Sequence, residues 1–267
     1  MRNNKGIKTV QRVIAGAVVL TLAMGAMAGA ATSAGAAAVP WTASELSTVL
    51  TASSRPVADR DRDSDRKPAQ LMTFLGVTRG MSTIDVIGLD GYLTEVLSVA
   101  VGPSGKVYLQ NTAYSLQLRD GAVLKGVEAR LANNRLSNVV RVDDSLPNPA
   151  IPPNSVDVAI TAMNLHDVFN LRGMPGAIAF MKGVYVELKP GGVFGVVDHV
   201  GNDTGDNAKL HRMTRQQALD VAKASGFIVE AESNLYTNPA DDHTKYVLDP
   251  SIRGKTDQFT LRLRKPT

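Results

Sequence analysis

The chain has no cysteine in 267 residues, which excludes thiolate nucleophiles, thiolate metal sites, redox pairs and disulfides. It has only four histidines, no internal repeat, and no acidic residue before Glu45. Arg2, Lys5, Lys8 and Arg12 precede an apolar run from Val13 to about Ala30, followed by small residues and Pro40. This is the pattern of a secretory signal peptide, with small-x-small cleavage sites ending at Ala28, Ala36 or Ala38. Thr21, Gly25 and Gly29 interrupt the run as a permanent span, so no stable membrane span is expected once the signal is cleaved. The isolated Arg2 and Arg12 carry no twin-arginine signal. Four of the 29 basic side chains lie before residue 45 and none of the 25 acidic ones does, leaving 25 against 25. The formal +4 therefore belongs to the export segment and gives no basis for a nucleic-acid partner. A periplasmic or secreted protein is expected, with an export segment over 1–38, an N-terminal arm over 39–67 and a main domain over 68–267; nothing in the sequence sets its oligomeric state.

A composition with 44% hydrophobic and 20% charged residues is that of an ordinary globular domain. Residues 41–50 suit a short amphipathic helix. Residues 55–67, RPVADRDRDSDRK, alternate charges with almost no apolar content and are expected to be a solvated segment held by local ion pairs. Pro68 suits the first turn of a helix that ends at Gly76. Thr83 to Glu95, TIDVIGLDGYLTE, then passes from a β pattern to a helical one across Gly88 and Gly91. Further strands are expected at 107–110, 139–142, 156–163, 193–197, 227–232 and 259–263, with helices over 122–131, 178–188 and 214–224 and a turn at KPGG, 189–192. Strands alternating with helices require right-handed crossovers. The fold class is α/β: a Rossmann-like, seven-stranded, mostly parallel sheet with helices on both faces and an antiparallel edge.

His166-Asp167 and Asp198-His199 fall at the carboxyl ends of neighbouring strands, which border the ligand crevice of such a sheet. A histidine there can take a proton from a hydroxyl or amine while an aspartate orients it, and these four are the candidate catalytic residues. They are also suitable ligands for a divalent ion, but their spacing identifies no closed set and no metal is assigned. His211 and Arg212, beginning a helix after a loop, could reach over the crevice, though helix capping or exposure is the commoner outcome for such a pair. Residues 234–257 form a long loop that serves equally as a lid or as a solvated connection.

The pieces DRKPAQLMTFLGV, RGMSTIDV, GYLTEVL, GPSGKVY, NLHD, LKPGGVFGVVDH, LHR, NPADDHTK and IRGKTDQF resemble a group of exported bacterial predicted methyltransferases. Over about residues 68–265 the order is similar to class I S-adenosylmethionine-dependent methyltransferases. That resemblance implies S-adenosylmethionine as cofactor, with Asp85 and the Gly88 and Gly91 turn at its methionine end, Asn111 at its ribose and Asp143 at its adenine. Asn164, in the NLHD piece, joins this set. The family's three turn glycines fall here on Ile87, Leu89 and Gly91, so two side chains stand where backbone approaches the ligand. The implied function is methyl transfer to a small-molecule substrate; the alternative is an exported, non-catalytic ligand-binding protein that retains the fold.

Overall fold

A computed structural model of the chain describes residues 39–267. The expected export segment over 1–38 lies outside the described residues. Among the described residues no helix is long and apolar enough to cross a membrane.

Helix α1 (Ala43–Leu50) starts at Thr42, whose hydroxyl accepts from the Glu45 N–H while the Glu45 carboxylate accepts from the Thr42 N–H. This reciprocal cap satisfies two donors that the first turn leaves free. Two short helices, α2 (Val57–Arg60) and α3 (Asp63–Arg66), lead to α4 (Pro68–Leu75), which ends on left-handed Gly76 (φ 76°) as Pro68 and Gly76 predict. The remaining elements are β1 (Ser82–Val86), α5 (Tyr92–Val101), β2 (Lys106–Gln110), α6 (Ala113–Gln117), α7 (Ala122–Leu131), β3 (Val139–Val142), β4 (Val156–Ala162), α8 (Leu165–Glu187), β5 (Leu188–His199), α9 (Asn207–Leu210), α10 (Arg215–Ala224), β6 (Ile228–Ser233) and β7 (Gln258–Arg264).

The seven strands form one sheet in the order β3-β2-β1-β4-β5-β7-β6. The first five strands run parallel, and β7 is antiparallel to both β5 and β6. The expected antiparallel pairing thus lies at the sheet's edge region, with β7 inserted inside β6. Alternation along β5 shows how the layers form: Phe194 and Val196 join the core under α8 and α10, whereas Val193 and Val197 join the core under α1, α4 and α5. Chain order reverses between β1 and β4, which opens a crevice above their carboxyl ends.

Three expectations change. The helix expected over 178–188 is the second part of α8; a first part from Leu165 precedes it, and the two are separated at Gly173, whose backbone is not helical (φ 63°, ψ −173°), with Pro175 in the first turn of the second part. KPGG is not a free turn but an irregular part of β5, where pairing jumps from Val156–Leu188 to Val158–Val193. Residues 55–67 do form the expected local pairs, Arg55 with Asp63 and Arg62 with Asp59, and most of the segment is exposed or half-buried, but it is not only a solvated arm. Arg55 and Asp59 are buried, and Asp59 pairs at 2.7 Å with Arg130 on α7. Arg130 also holds buried Glu95, and the Tyr92 hydroxyl donates to Asp63 at 2.6 Å. The charge pattern hid this because the partners are distant in sequence.

Candidate active site

A cleft of about 1030 Å³ lies over the carboxyl ends of β1, β2, β4 and β5. Its floor is the turn after β1. Ile87 (φ 53°) and Leu89 (φ 50°) are left-handed, as is Gly91 (φ 84°). For side-chain-bearing residues such a backbone costs about 1–3 kcal/mol and persists only when its surroundings overdetermine it. Here the end of β2 does so. The Ile87 N–H donates to Gln110 Oε1 at 3.0 Å, the Leu89 N–H donates to Asn111 Oδ1 at 3.0 Å, and Asn111 Nδ2 donates back to the Leu89 carbonyl at 3.0 Å. Gly88 is required by space: a Cβ there would lie 2.6 Å from both Asp85 Oδ2 and Leu109 Cδ1. Ile87 packs toward the core around Ile84 and Leu165, and Leu89 toward Leu109, Leu116 and Val127, although both also contribute to the cleft wall.

Of the residues expected to hold a cofactor, Asp85, Gly88 and Asn164 line the cleft. Asn164 Nδ2 donates to the Ala162 carbonyl at 3.0 Å and to Thr161 Oγ1 at 3.1 Å, tying the end of β4 to the start of α8. Gly91 sits behind the floor as the N-cap of α5. Two of the expected residues, Asn111 and Asp143, do not line the cleft. Asn111 is fully buried, its amide holding the Leu89 N–H and carbonyl and its Oδ1 also accepting from the Ser115 hydroxyl. Asp143 is turned outward to Arg141, at 2.7 Å, and does not line the cleft.

The histidines assemble opposite the turn. His166 and Asp167 open α8, and His199 ends β5. All three line the cleft, whereas Asp198 is fully buried behind them. The Asp198 carboxylate accepts the His166 N–H at 2.9 Å and the His199 N–H at 2.8 Å, and its Oδ1 lies 2.6 Å from His166 Nδ1. On its other side, His166 Nε2 is 3.2 Å from Asp167 Oδ1. Burial alone would push His166 down, but the flanking Asp198 and Asp167 carboxylates overcome it and raise the imidazole to about 10. Asp198 is held below the usual carboxylate range: burial opposes this, and the His166 cation outweighs it. His199 goes the other way, to about 4, because burial and the neighbouring His166 charge outweigh Asp198. Its Nδ1 lies 2.8 Å from Thr256 Oγ1. Two histidines beside one aspartate therefore carry different charges at neutral pH.

Several further residues line the cleft without a definite role assigned from the sequence. His211 lies at the rim with Nδ1 2.9 Å from Asp167 Oδ1, and its ring packs edge-on against Tyr246. The signal was present in the LHR piece: Arg212, fully buried, forms a bidentate pair with Asp241 at 2.9 and 3.0 Å, which fixes its neighbour. Tyr236, Tyr246, Arg253 and Thr256 bring the loop over 234–257 to the cleft as one of its walls. Arg62 and Arg66 of the arm, stacked on the Tyr92 ring at 4.8 and 4.9 Å, form another.

No protein-family model matches the chain. A demethylmenaquinone methyltransferase from Geobacillus sp. (strain WCH70) is 28% identical over 121 residues, 45% of this chain and 46% of that enzyme, so the match spans less than half of the relative. Among solved structures, a SAM-dependent methyltransferase from Aquifex aeolicus superposes with a TM-score of 0.56 at 18% identity, over 84% of this chain and 98% of that one. The [4+2]-cyclase SpnF superposes with a TM-score of 0.54 at 19% identity, over 84% of this chain and 92% of its own. The strand order, the turn after β1 and these neighbours agree: the described chain has the fold of the class I S-adenosylmethionine-dependent methyltransferases.

Proposed function

We propose that the protein transfers the methyl group of S-adenosylmethionine to a small-molecule acceptor in this cleft. The observation that carries the proposal is the left-handed backbone kept at 87, 89 and 91 although two of those residues are not glycine. A strained turn that has lost its glycines and kept its shape is expected where the shape serves a ligand. The cleft also suits the methionine end of the cofactor. Asp85 offers a carboxylate for an ammonium, and Arg62 and Arg66 offer cations for a carboxylate. At the ribose end the wall offers the neutral Thr112 and Tyr114 in place of the usual acid.

When bound, the cofactor supplies an electrophilic methyl group on a sulfonium. The protein's part is to position an acceptor in line with it and exclude water. His166 has both ring nitrogens committed to carboxylates and is not free to take a proton. His199 stays neutral at physiological pH, and its Nε2 makes no hydrogen bond among the described residues; in the tautomer whose Nδ1–H donates to Thr256 Oγ1, Nε2 is the nitrogen that accepts from an acceptor hydroxyl or amine. The non-catalytic alternative does not account for this differentiated pair. A fold also does not decide chemistry. Calorimetric titration with S-adenosylmethionine is the test: one site at micromolar to millimolar affinity is expected, and no heat at millimolar ligand rejects the proposal.

A further inference from the structure

Beyond methyl transfer, we infer that His166, Asp167 and His211 form a binding site for one divalent metal ion of borderline softness, with Asp198 as its outer support. The three side chains each offer one ligand atom, and these atoms all lie within 4.8 Å of one another. Asp167 Oδ1 is 3.2 Å from His166 Nε2 and 2.9 Å from His211 Nδ1. Ligands about 2.0–2.2 Å from a metal and roughly at right angles stand about 3 Å apart, so both pairs already have the spacing of adjacent ligands. Two imidazoles and one carboxylate on one side of an ion is the donor set of open transition-metal sites.

The second, independent observation is Asp198. It is fully buried, holds His166 Nδ1 at 2.6 Å, and accepts the His166 backbone N–H as well. That arrangement fixes which ring nitrogen faces the cleft, as outer carboxylates do for metal-bound histidines. Asp167 and His211 are 46% and 44% exposed at their side chains, so the remaining coordination positions open into the cleft. A ligand there is an oxygen or nitrogen donor, and only the identification of that donor with the methyl acceptor rests on the proposed function.

The untagged full chain, stripped with a chelator, is titrated with Co²⁺ and Zn²⁺ without S-adenosylmethionine, so failure of cofactor binding leaves the result untouched. One equivalent is expected, with the visible absorption of a cobalt–imidazole site. Asp167→Asn and His211→Gln are each expected to weaken binding at least tenfold while near-ultraviolet circular dichroism stays native. Asp198→Asn is expected to weaken it about 10–100-fold. No binding by the unaltered chain at millimolar ion, or losses under threefold in both Asp167→Asn and His211→Gln, overturns the inference.

Discussion

Asp85 shows how a single side chain ties the site to stability. Burial, opposed by the Thr94 hydroxyl that donates to Oδ2 at 2.6 Å, raises its carboxyl from 3.8 to about 6. The folded chain holds this proton more tightly than the unfolded one. Asp85 therefore contributes its full stability below pH 3.8, and the contribution is lost as pH rises through about 6. Ionised above that range, the buried charge costs up to ~3 kcal/mol. Asp85→Asn keeps an oxygen for Thr94 and removes the charge. Urea midpoints should place the variant above the parent at about pH 7.5 and level with it at pH 3.8 or lower; a gap that does not change with pH would remove the buried charge as its cause. The sequence already placed Asp85 at a strand end. That it is buried to this degree was not legible, because burial depends on α5 and Thr94 closing over it.

The turn from β1 to α5 is the element on which the cleft depends. Gly88 is the one position of the three central residues where space leaves no choice, with Asp85 and Leu109 2.6 Å from a hypothetical Cβ. Gly88→Ala should destabilise the fold by about 1–3 kcal/mol, as overpacking does, seen as a lower thermal midpoint. An unchanged midpoint would show that the turn relaxes freely. Ile87 and Leu89, by contrast, accept the left-handed backbone because Gln110 and Asn111 fasten their N–H groups. Strand and helix on either side of this turn were legible from periodicity, and so was the turn itself. Its fastening was not: Asn111 reads in sequence as a ligand residue at the end of β2, yet its amide is tied to the Leu89 backbone and to the Ser115 hydroxyl.

Among the described residues, the arm and the main sheet belong to one compact unit, 39–267. Arg130 is the tie, reaching Asp59 at 2.7 Å and also holding Glu95, with both carboxylates nearly dry. Arg130→Met leaves Asp59 without its closest cation and Glu95 with Arg135 alone. Breaking a buried pair in this way should cost about 3–5 kcal/mol. Faster amide exchange and proteolysis within 55–67 should accompany it, with weaker binding in the cleft as Arg62 and Arg66 lose their footing. Native exchange in that segment would mean that the arm is held by something else. The sequence by itself determined the α/β alternation, the order of the strands in the chain and the residues at their carboxyl ends, because periodicity of 2 and 3.6 and the chemistry of glycine and proline act locally. Only tertiary structure decided that Arg55 and Asp59 of a charge-rich arm are buried against the domain, that β7 slips between β5 and β6, and that His211 meets Asp167. Those outcomes depend on partners tens of residues away, which no local pattern encodes.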